Sequence, residues 1–176
     1  MDIAVLGSGT IGKSWCALFL AAGHSVVAYD PDPSIEGRIF AFIEASKSSL
    51  QRLGYPSAGS IDRFRFAQNA VDAVQGSEFI QENAPEKIAV KHQLFSEIES
   101  HLEPNAVILS STSGITLERL QSGLRDPSRI VIAHPFNPPH LIPLVELLGN
   151  YETDPLVIER VRAFYESLRK VPVELK

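Results

Sequence analysis

One cysteine, one methionine and one tryptophan occur in 176 residues, and the shortage of cysteine already narrows the possibilities. A single thiol cannot close an internal disulfide, so packing must hold the fold, and Cys16 fits a reducing, cytoplasmic setting. Cys16 itself falls inside an apolar helical pattern, which makes it a core residue. No apolar run approaches the roughly 18 residues that a membrane span requires. The first residues read as a strand starting at Asp2, not as a basic signal peptide, and no membrane role is expected. Blocks of lysine and arginine are missing too. The 16 basic residues are interspersed with 21 acidic ones for a net charge of −5, which argues against nucleic acid as a partner. There is no histidine–carboxylate spacing suited to a metal and no GxSxG elbow, so metallohydrolase and serine-hydrolase chemistry fall away. Repeats, low-complexity tracts and linkers are absent. What remains is an ordinary globular composition, 44% hydrophobic and 21% charged, over a length suited to one domain spanning residues 1–176.

Short apolar runs alternate with helical patterns almost throughout. "DIAVL" predicts a buried strand, "TIGKSWCALFLAAG" a helix closed by Gly23, and "SVVAYD" a second strand. Residues 33–53 predict a long helix ended by Gly54 and Pro56, followed by a Gly/Ser-rich turn. "FRFAQ" reads as a short strand, "AVDAVQ" as a short helix and "EFIQEN" as a strand. "PEKIAVKHQLFSEIESHL" then reads as a helix with proline in its first turn. "AVILSS", a short helix after Thr116, "RIVIAHPF", "LVELL", a helix over 154–170 and the terminal "VPVEL" complete the series. Such alternation predicts an α/β fold, a doubly wound, mostly parallel sheet with helices on both faces.

Within "VLGSGTIG", Gly7, Gly9 and Gly12 lie between a strand and a helix. Gly7 permits a tight turn, Gly9 lets backbone approach a pyrophosphate, and Gly12 lets helix and strand pack closely. Thr10 and Ile11 complete the cradle, where free N–H groups and the positive helix end receive an anion. Asp30 ends the second strand about 20 residues on, where the ribose-binding acid belongs. Its carboxylate suits the ribose hydroxyls and repels a 2′-phosphate, and "PDPS" after it offers no arginine, so NAD is favoured over NADP. Asp30 could instead cap the following turn.

Ligands of open α/β sheets sit beyond the carboxyl ends of strands. Glu82, Ser111, Ser113 and His134 occupy such ends. Asn137-Pro138-Pro139 cannot continue a strand or helix, so the chain bends after His134 and can return as "LVELL", laying Glu146 beside it. A histidine paired with a carboxylate has a fixed tautomer and raised basicity, which suits it to take a proton from an alcohol as hydride leaves. A His–Glu pair can also be purely structural, Ser113 can be a helix cap, and Lys87 can be a solvated first-turn lysine. His24, His92 and His101 read as surface residues. His140, close after the motif, reads as a bystander more than a substrate contact.

The motifs "GSGTIG", "IQENAPEK", "SSTSG" and "HPFNPPHLIPLVE", covering nearly the whole chain, resemble the NAD-binding domain of the 3-hydroxyacyl-CoA dehydrogenase family. The resemblance implies a Rossmann-type fold, NAD as cofactor, and a small 3-hydroxy acid or acyl-CoA as substrate. It further implies His134 as general base, Glu146 as its orienter and Ser113 as hydrogen-bond donor to the reacting oxygen. Glu82 and Lys87 would contact NAD on the nicotinamide-ribose side, with Ser111 nearby. Ser111-Thr112-Ser113 replaces the Asn-Thr-Ser of acyl-CoA enzymes, and the arm after Asp30 is short, with only Arg38, Lys47 and Arg52. Both features resemble the gulonate and carnitine branch. Full-length relatives continue into a helical domain that closes the cleft and makes a homodimer. That domain is absent here, so this chain is expected to bind NAD while catalysing poorly alone.

Overall fold

The structure, a computed structural model, describes residues 1–55 and 61–175. Pro56 and the Gly/Ser-rich turn after it lie outside the described residues. Among the described residues, eight strands form one sheet: β1 (Asp2–Leu6), β2 (Ser25–Tyr29), β3 (Phe64–Phe66), β4 (Phe79–Glu82), β5 (Val107–Ser110), β6 (Ile130–Pro135), β7 (Leu144–Leu148) and β8 (Val171–Glu174). Their spatial order is β3-β2-β1-β4-β5-β6-β7-β8. The first six are mutually parallel, β7 returns antiparallel to β6, and β8 lies parallel to β7. The winding reverses between β1 and β4, which opens a crevice at their carboxyl ends.

The described residues form six α-helices that cover the sheet: α1 (Thr10–Ala21), α2 (Ile35–Arg52), α3 (Ala70–Val74), α4 (Ile88–Ile98), α5 (Leu117–Gln121) and α6 (Pro155–Ser167). Strand alternation sorts them into two layers. Ile3 and Val5 of β1 pack with α1, α2 and α6, while Ala4 and Leu6 pack with α3, α4 and α5. With both faces covered, β1 and β5 are nearly continuous apolar runs and not alternating ones, and β4 is buried along its whole length, its polar Gln81 and Glu82 included. Helix α1 is apolar nearly all round because it is enclosed: Trp15 stacks on Phe19 at 5.3 Å and meets Tyr165 of α6 at 5.7 Å. Cys16 is fully buried, and that burial pushes its thiol pKa far up, as suits a core residue. Helix starts are fixed locally. The Asn69 side chain accepts the Asp72 N–H before α3, and Asp154 accepts the Leu156 N–H before α6, with Pro155 in the first turn.

The expected elements are present, with altered ends. Helix α4 begins at Ile88 instead of at Pro85, because the Lys87 N–H is turned back to the Pro85 carbonyl and the 83–87 segment forms its own turn. The same helix stops at Ile98 and tightens into a 3-10 turn over Glu99–His101. Strand β3 is only three residues long, α2 is trimmed to Ile35–Arg52 and α6 to Pro155–Ser167. Gly54 does close α2, at a φ of +82° that favours glycine.

After α6 the chain turns at Arg169 and buries Lys170, which is 6% exposed. Its ammonium donates to the carbonyls of Pro139 and Ile142, in the loop between β6 and β7, and lies 5.7 Å from the Trp15 ring. Burial pushes its pKa down from 10.5 to about 8. The unfolded chain therefore holds this proton to higher pH than the folded one. Stability should rise with pH across the window from about 8 to the ordinary lysine value, while below about 8 the burial penalty is fully present. Urea unfolding at pH 7.5 and 10 should show the parent gaining stability relative to Lys170→Met, a difference that cancels the opposite pull of the buried Cys16 thiol common to both. Parallel pH dependence in the two proteins would remove Lys170 as its source.

Candidate functional site

The glycine turn has the geometry its spacing predicts. Gly7 has a φ of +82°, and a Cβ there would lie 2.6 Å from the Asn83 carbonyl oxygen. A Cβ on Gly12 would lie 1.9 Å from the Gly7 carbonyl oxygen, so this helix–strand contact admits only glycine. At Gly9 a Cβ would meet nothing within 4 Å. That position faces open space, as one receiving an anion must. Thr10 begins α1 there and is exposed, whereas Ile11 is half-buried against the core.

Asp30 closes the same crevice. Its carboxylate accepts the Ser8 N–H at 2.8 Å and the Asp32 N–H at 3.0 Å, so it both holds the glycine turn and caps the turn that follows. The crevice encloses about 480 Å³, with Gly9, Tyr29, Asp30, Ala84 and Leu94 among its walls. An acid at the far end and an open glycine turn at the near end fit an adenine dinucleotide lying across the β1/β4 reversal. A larger hollow of about 800 Å³ lies where the strands begin, but its arginines are engaged: Arg129 by Asp126, and Arg160 by Glu78 at 3.8 Å.

A second cleft, about 360 Å³, brings together Ser113, Glu118, His134 and Glu146. His134 and Glu146 are direct cross-strand partners on antiparallel β6 and β7. The side-chain alternation of β7 puts Glu146 on its half-exposed face with Leu144 and Leu148. The Glu146 carboxylate therefore both reaches water and has a partner: its Oε2 lies 2.9 Å from His134 Nδ1. An ionised carboxylate only accepts hydrogen bonds, so Nδ1 carries the proton and Nε2 presents its lone pair to the cleft. The exposed Ser113 hydroxyl has no partner among the described residues, and the cap there is supplied instead by Thr112, whose Oγ1 accepts the Ile115 N–H.

Glu82 is not at the surface of either cleft. It is fully buried at the end of β4, where Oε1 accepts from Lys91 Nζ at 2.6 Å and from the Ala84 N–H at 2.7 Å. Its Oε2 accepts from the Ser110 hydroxyl at 2.5 Å. Lys87 is exposed, with no side-chain partner among the described residues. Ser111 is half-buried, and its hydroxyl is engaged by Gln81 and Asn83. The residue that sequence reasoning missed is Glu86. Its Oε1 accepts from the Thr112 hydroxyl at 2.5 Å, the Ser113 N–H at 3.1 Å and the Gly114 N–H at 2.7 Å. Partial burial pushes its carboxyl upward, but those hydrogen bonds and nearby Lys91 outweigh it and hold the pKa below the usual glutamate range. The available signal was the second glutamate of "ENAPEK", four residues after the first.

The remaining histidines sit elsewhere. His101 is exposed and His24 is half-buried against Phe164. His92 is less free than expected, bonding the Arg119 carbonyl oxygen at 2.6 Å. His140 is buried outside the His134 cleft, exchanging two hydrogen bonds with Ser14 of α1.

The doubly wound sheet and the open glycine turn define a dinucleotide-binding domain of the Rossmann type. Residues 2–176 match the family described as "3-hydroxyacyl-CoA dehydrogenase, NAD binding domain", and the chain belongs to that family. It is 43% identical over 168 residues to an L-carnitine dehydrogenase of Streptomyces coelicolor, an alignment covering 96% of this chain and 53% of that protein. Among solved structures, an NAD+-dependent 5-formyl-3-hydroxy-2-methylpyridine 4-carboxylic acid 5-dehydrogenase superposes with a TM-score of 0.91 at 34% identity, covering 99% of this chain and 57% of that one. The 3-hydroxybutyryl-CoA dehydrogenase of Escherichia coli gives 0.89 at 26% identity, covering 99% and 38%. The chain thus spans about half the length of the L-carnitine dehydrogenase it matches.

Two alanine substitutions separate packing from cofactor contact. Gly9→Ala should leave the melting temperature nearly unchanged, because the methyl enters open space, while weakening NAD binding about tenfold or more if a pyrophosphate approaches that position as in other glycine turns of this kind. Gly12→Ala should destabilise the fold by about 1–3 kcal/mol, because its methyl overlaps a carbonyl oxygen. Thermal melts with NADH fluorescence titrations check both, and equal effects in the two variants would contradict the assignment.

Proposed function

We propose that the chain is the cofactor-binding and acid–base half of an NAD-dependent dehydrogenase that oxidises the C3 hydroxyl of a 3-hydroxy acid. The observation carrying this reading is the His134–Glu146 pair at 2.9 Å, in one cleft with the unpartnered Ser113 hydroxyl and beside the dinucleotide crevice. Ser113 donates to the substrate oxygen and holds the C3 hydroxyl against His134. His134 Nε2 takes the hydroxyl proton as the C3–H bond breaks, and Glu146 stabilises the imidazolium that results. Bound NAD supplies the acceptor for the hydride. Asp30 engages the adenosine ribose, and the N–H groups at the start of α1 hold the pyrophosphate.

Charge narrows the substrate. Among the described residues, those around His134 include Glu118 and Glu146 but neither lysine nor arginine. A small or cationic 3-hydroxy acid suits such walls better than the polyanionic head of an acyl-CoA. The names of the relatives make L-carnitine the first compound to assay, and the motif resemblance to the gulonate branch makes L-gulonate the next. A homodimer and a cytoplasmic setting belong to the same reading. The rival reading is a cofactor-binding module with little turnover of its own. Supporting it, Phe136 is 39% and Leu175 42% exposed beside an open cleft, and hydride transfer needs a substrate walled off from water.

NADH should bind at least about tenfold more tightly than NADPH, because the Asp30 carboxylate faces the position of a 2′-phosphate. Replacing Asp30 with serine should shrink that gap. Fluorescence titration decides the matter, and equal affinities in the parent would refute the role given to Asp30.

In turnover of L-carnitine, L-gulonate or 3-hydroxybutyryl-CoA, His134→Gln should lower kcat about 10²-fold or more with NAD affinity intact. Glu146→Gln keeps a hydrogen-bonding side chain but removes the charge that favours imidazolium, and should displace the pH–rate profile. Unaltered kinetics in both variants would reduce the pair to a structural one, and absence of turnover in the parent would favour the binding-module reading.

A further inference from the structure

Glu82 and Lys91 are 0% and 1% exposed, and neither reaches a cleft. Burying an ion pair confers little stability by itself, so its retention calls for another reason. Its contacts supply one. Lys91 Nζ donates to the Ala84 carbonyl at 3.1 Å, while Glu82 accepts the Ala84 N–H, so the pair holds the two successive peptide groups that flank the Ala84 Cα. Ala84 begins the turn carrying Glu86. Lys91 also lies 3.9 Å from the Glu86 carboxylate. On the other side, the Ser110 hydroxyl donates to Glu82 and accepts the Thr112 N–H at 3.4 Å, at the root of the loop bearing Ser113. Glu86 closes the ring by accepting the Ser113 and Gly114 N–H groups. Asn83 and Ala84 wall the dinucleotide crevice, and Ser113 and Gly114 wall the His134 cleft.

We infer that Glu82 and Lys91 are positioning residues, acting through Ala84, Glu86 and Ser110 to fix the Ser113 loop relative to the cofactor crevice. The catalytic consequence rests on Ser113 facing substrate, as argued above, whereas the mechanical one does not. Two charges held inside the protein set the separation between the place where cofactor lies and the hydroxyl that aims the substrate oxygen.

The test uses the 176-residue chain labelled with nitrogen-15 and the double variant Glu82→Gln/Lys91→Met, which removes both charges with little change in volume and leaves no lone buried charge. The expected result is that the Ser113 and Gly114 amides exchange with solvent about tenfold faster, while β1 amides from Ile3 to Val5 keep their parental rates. Where 3-hydroxy acid turnover is measurable, kcat should fall about tenfold with KM for NAD within about threefold. Unchanged exchange at Ser113 and Gly114 would overturn the inference, and so would an equal acceleration in β1, which marks a merely structural pair. If the double variant does not fold, Ser110→Ala cuts only the arm to Thr112 and is read by the same amides and against the same two outcomes. Faster loop exchange in a chain whose parent shows no turnover would uphold the positioning role while counting against the dehydrogenase reading.

Discussion

The hydrogen bond between His134 and Glu146 needs an antiparallel strand in a sheet that is otherwise wound in parallel, and much of the fold's second half follows from that requirement. Parallel neighbours need a long crossover, which would separate two such residues by dozens of positions. Here the turn through Asn137-Pro138-Pro139 reverses the chain at once, so that residues 134 and 146 become register partners. The reversal leaves the loop's carbonyls in need of donors. Lys170 provides two hydrogen bonds to them from the start of β8, and Pro138 accepts the Leu141 and Ile142 N–H groups. Strand β8 can then pair only with β7, in the same reversed direction.

The loop is also tied to the helix that opens the cofactor crevice. Ser14 sits one turn into α1, past the glycines, and exchanges two hydrogen bonds with His140, whose ring packs edge-on against Phe42 of α2. Burial, reinforced by Lys170, lowers the His140 pKa, which keeps this histidine neutral and able to accept from the Ser14 hydroxyl. Helix α1 therefore joins the two clefts at one end, and the Glu82–Lys91 ring joins them at the other.

Much of this was legible in the sequence because it depends on local rules. Glycine spacing after a strand, the acid at Asp30, the proline bend and the period of each apolar run specify backbone shape directly, and the six-strand parallel core with its reversed partner emerged where expected. The glutamates were harder. "IQENAPEK" offers two carboxylates, and nothing within it says which is outside. That depends on β4 being flanked by β1 and β5 and covered on both faces, so that the last strand residue, Glu82, points into the core while Glu86 lies on a turn. The same packing bends the chain at Pro85 and delays α4 to Ile88, although proline is otherwise a good first-turn residue. Lys91 fell inside an apolar helical pattern, where a lysine ordinarily reads as solvated.

Three glutamates thus hold three different positions through their neighbours alone. Glu82 lies in the core and is tolerated there because Lys91, Ser110 and a backbone N–H meet both of its oxygens. Glu86 stays charged at the rim because a hydroxyl and two loop amides donate to its Oε1, and with nearby Lys91 they outweigh the burial that would protonate it. Glu146 spends its charge on one imidazole and stays open to the cleft. Exchanging any two of these environments would leave a buried carboxylate without a cation or a histidine without an orienter. The identity of the residue fixes the charge, and the elements that deliver its partners decide whether that charge supports the core, the loop or the histidine at the cleft.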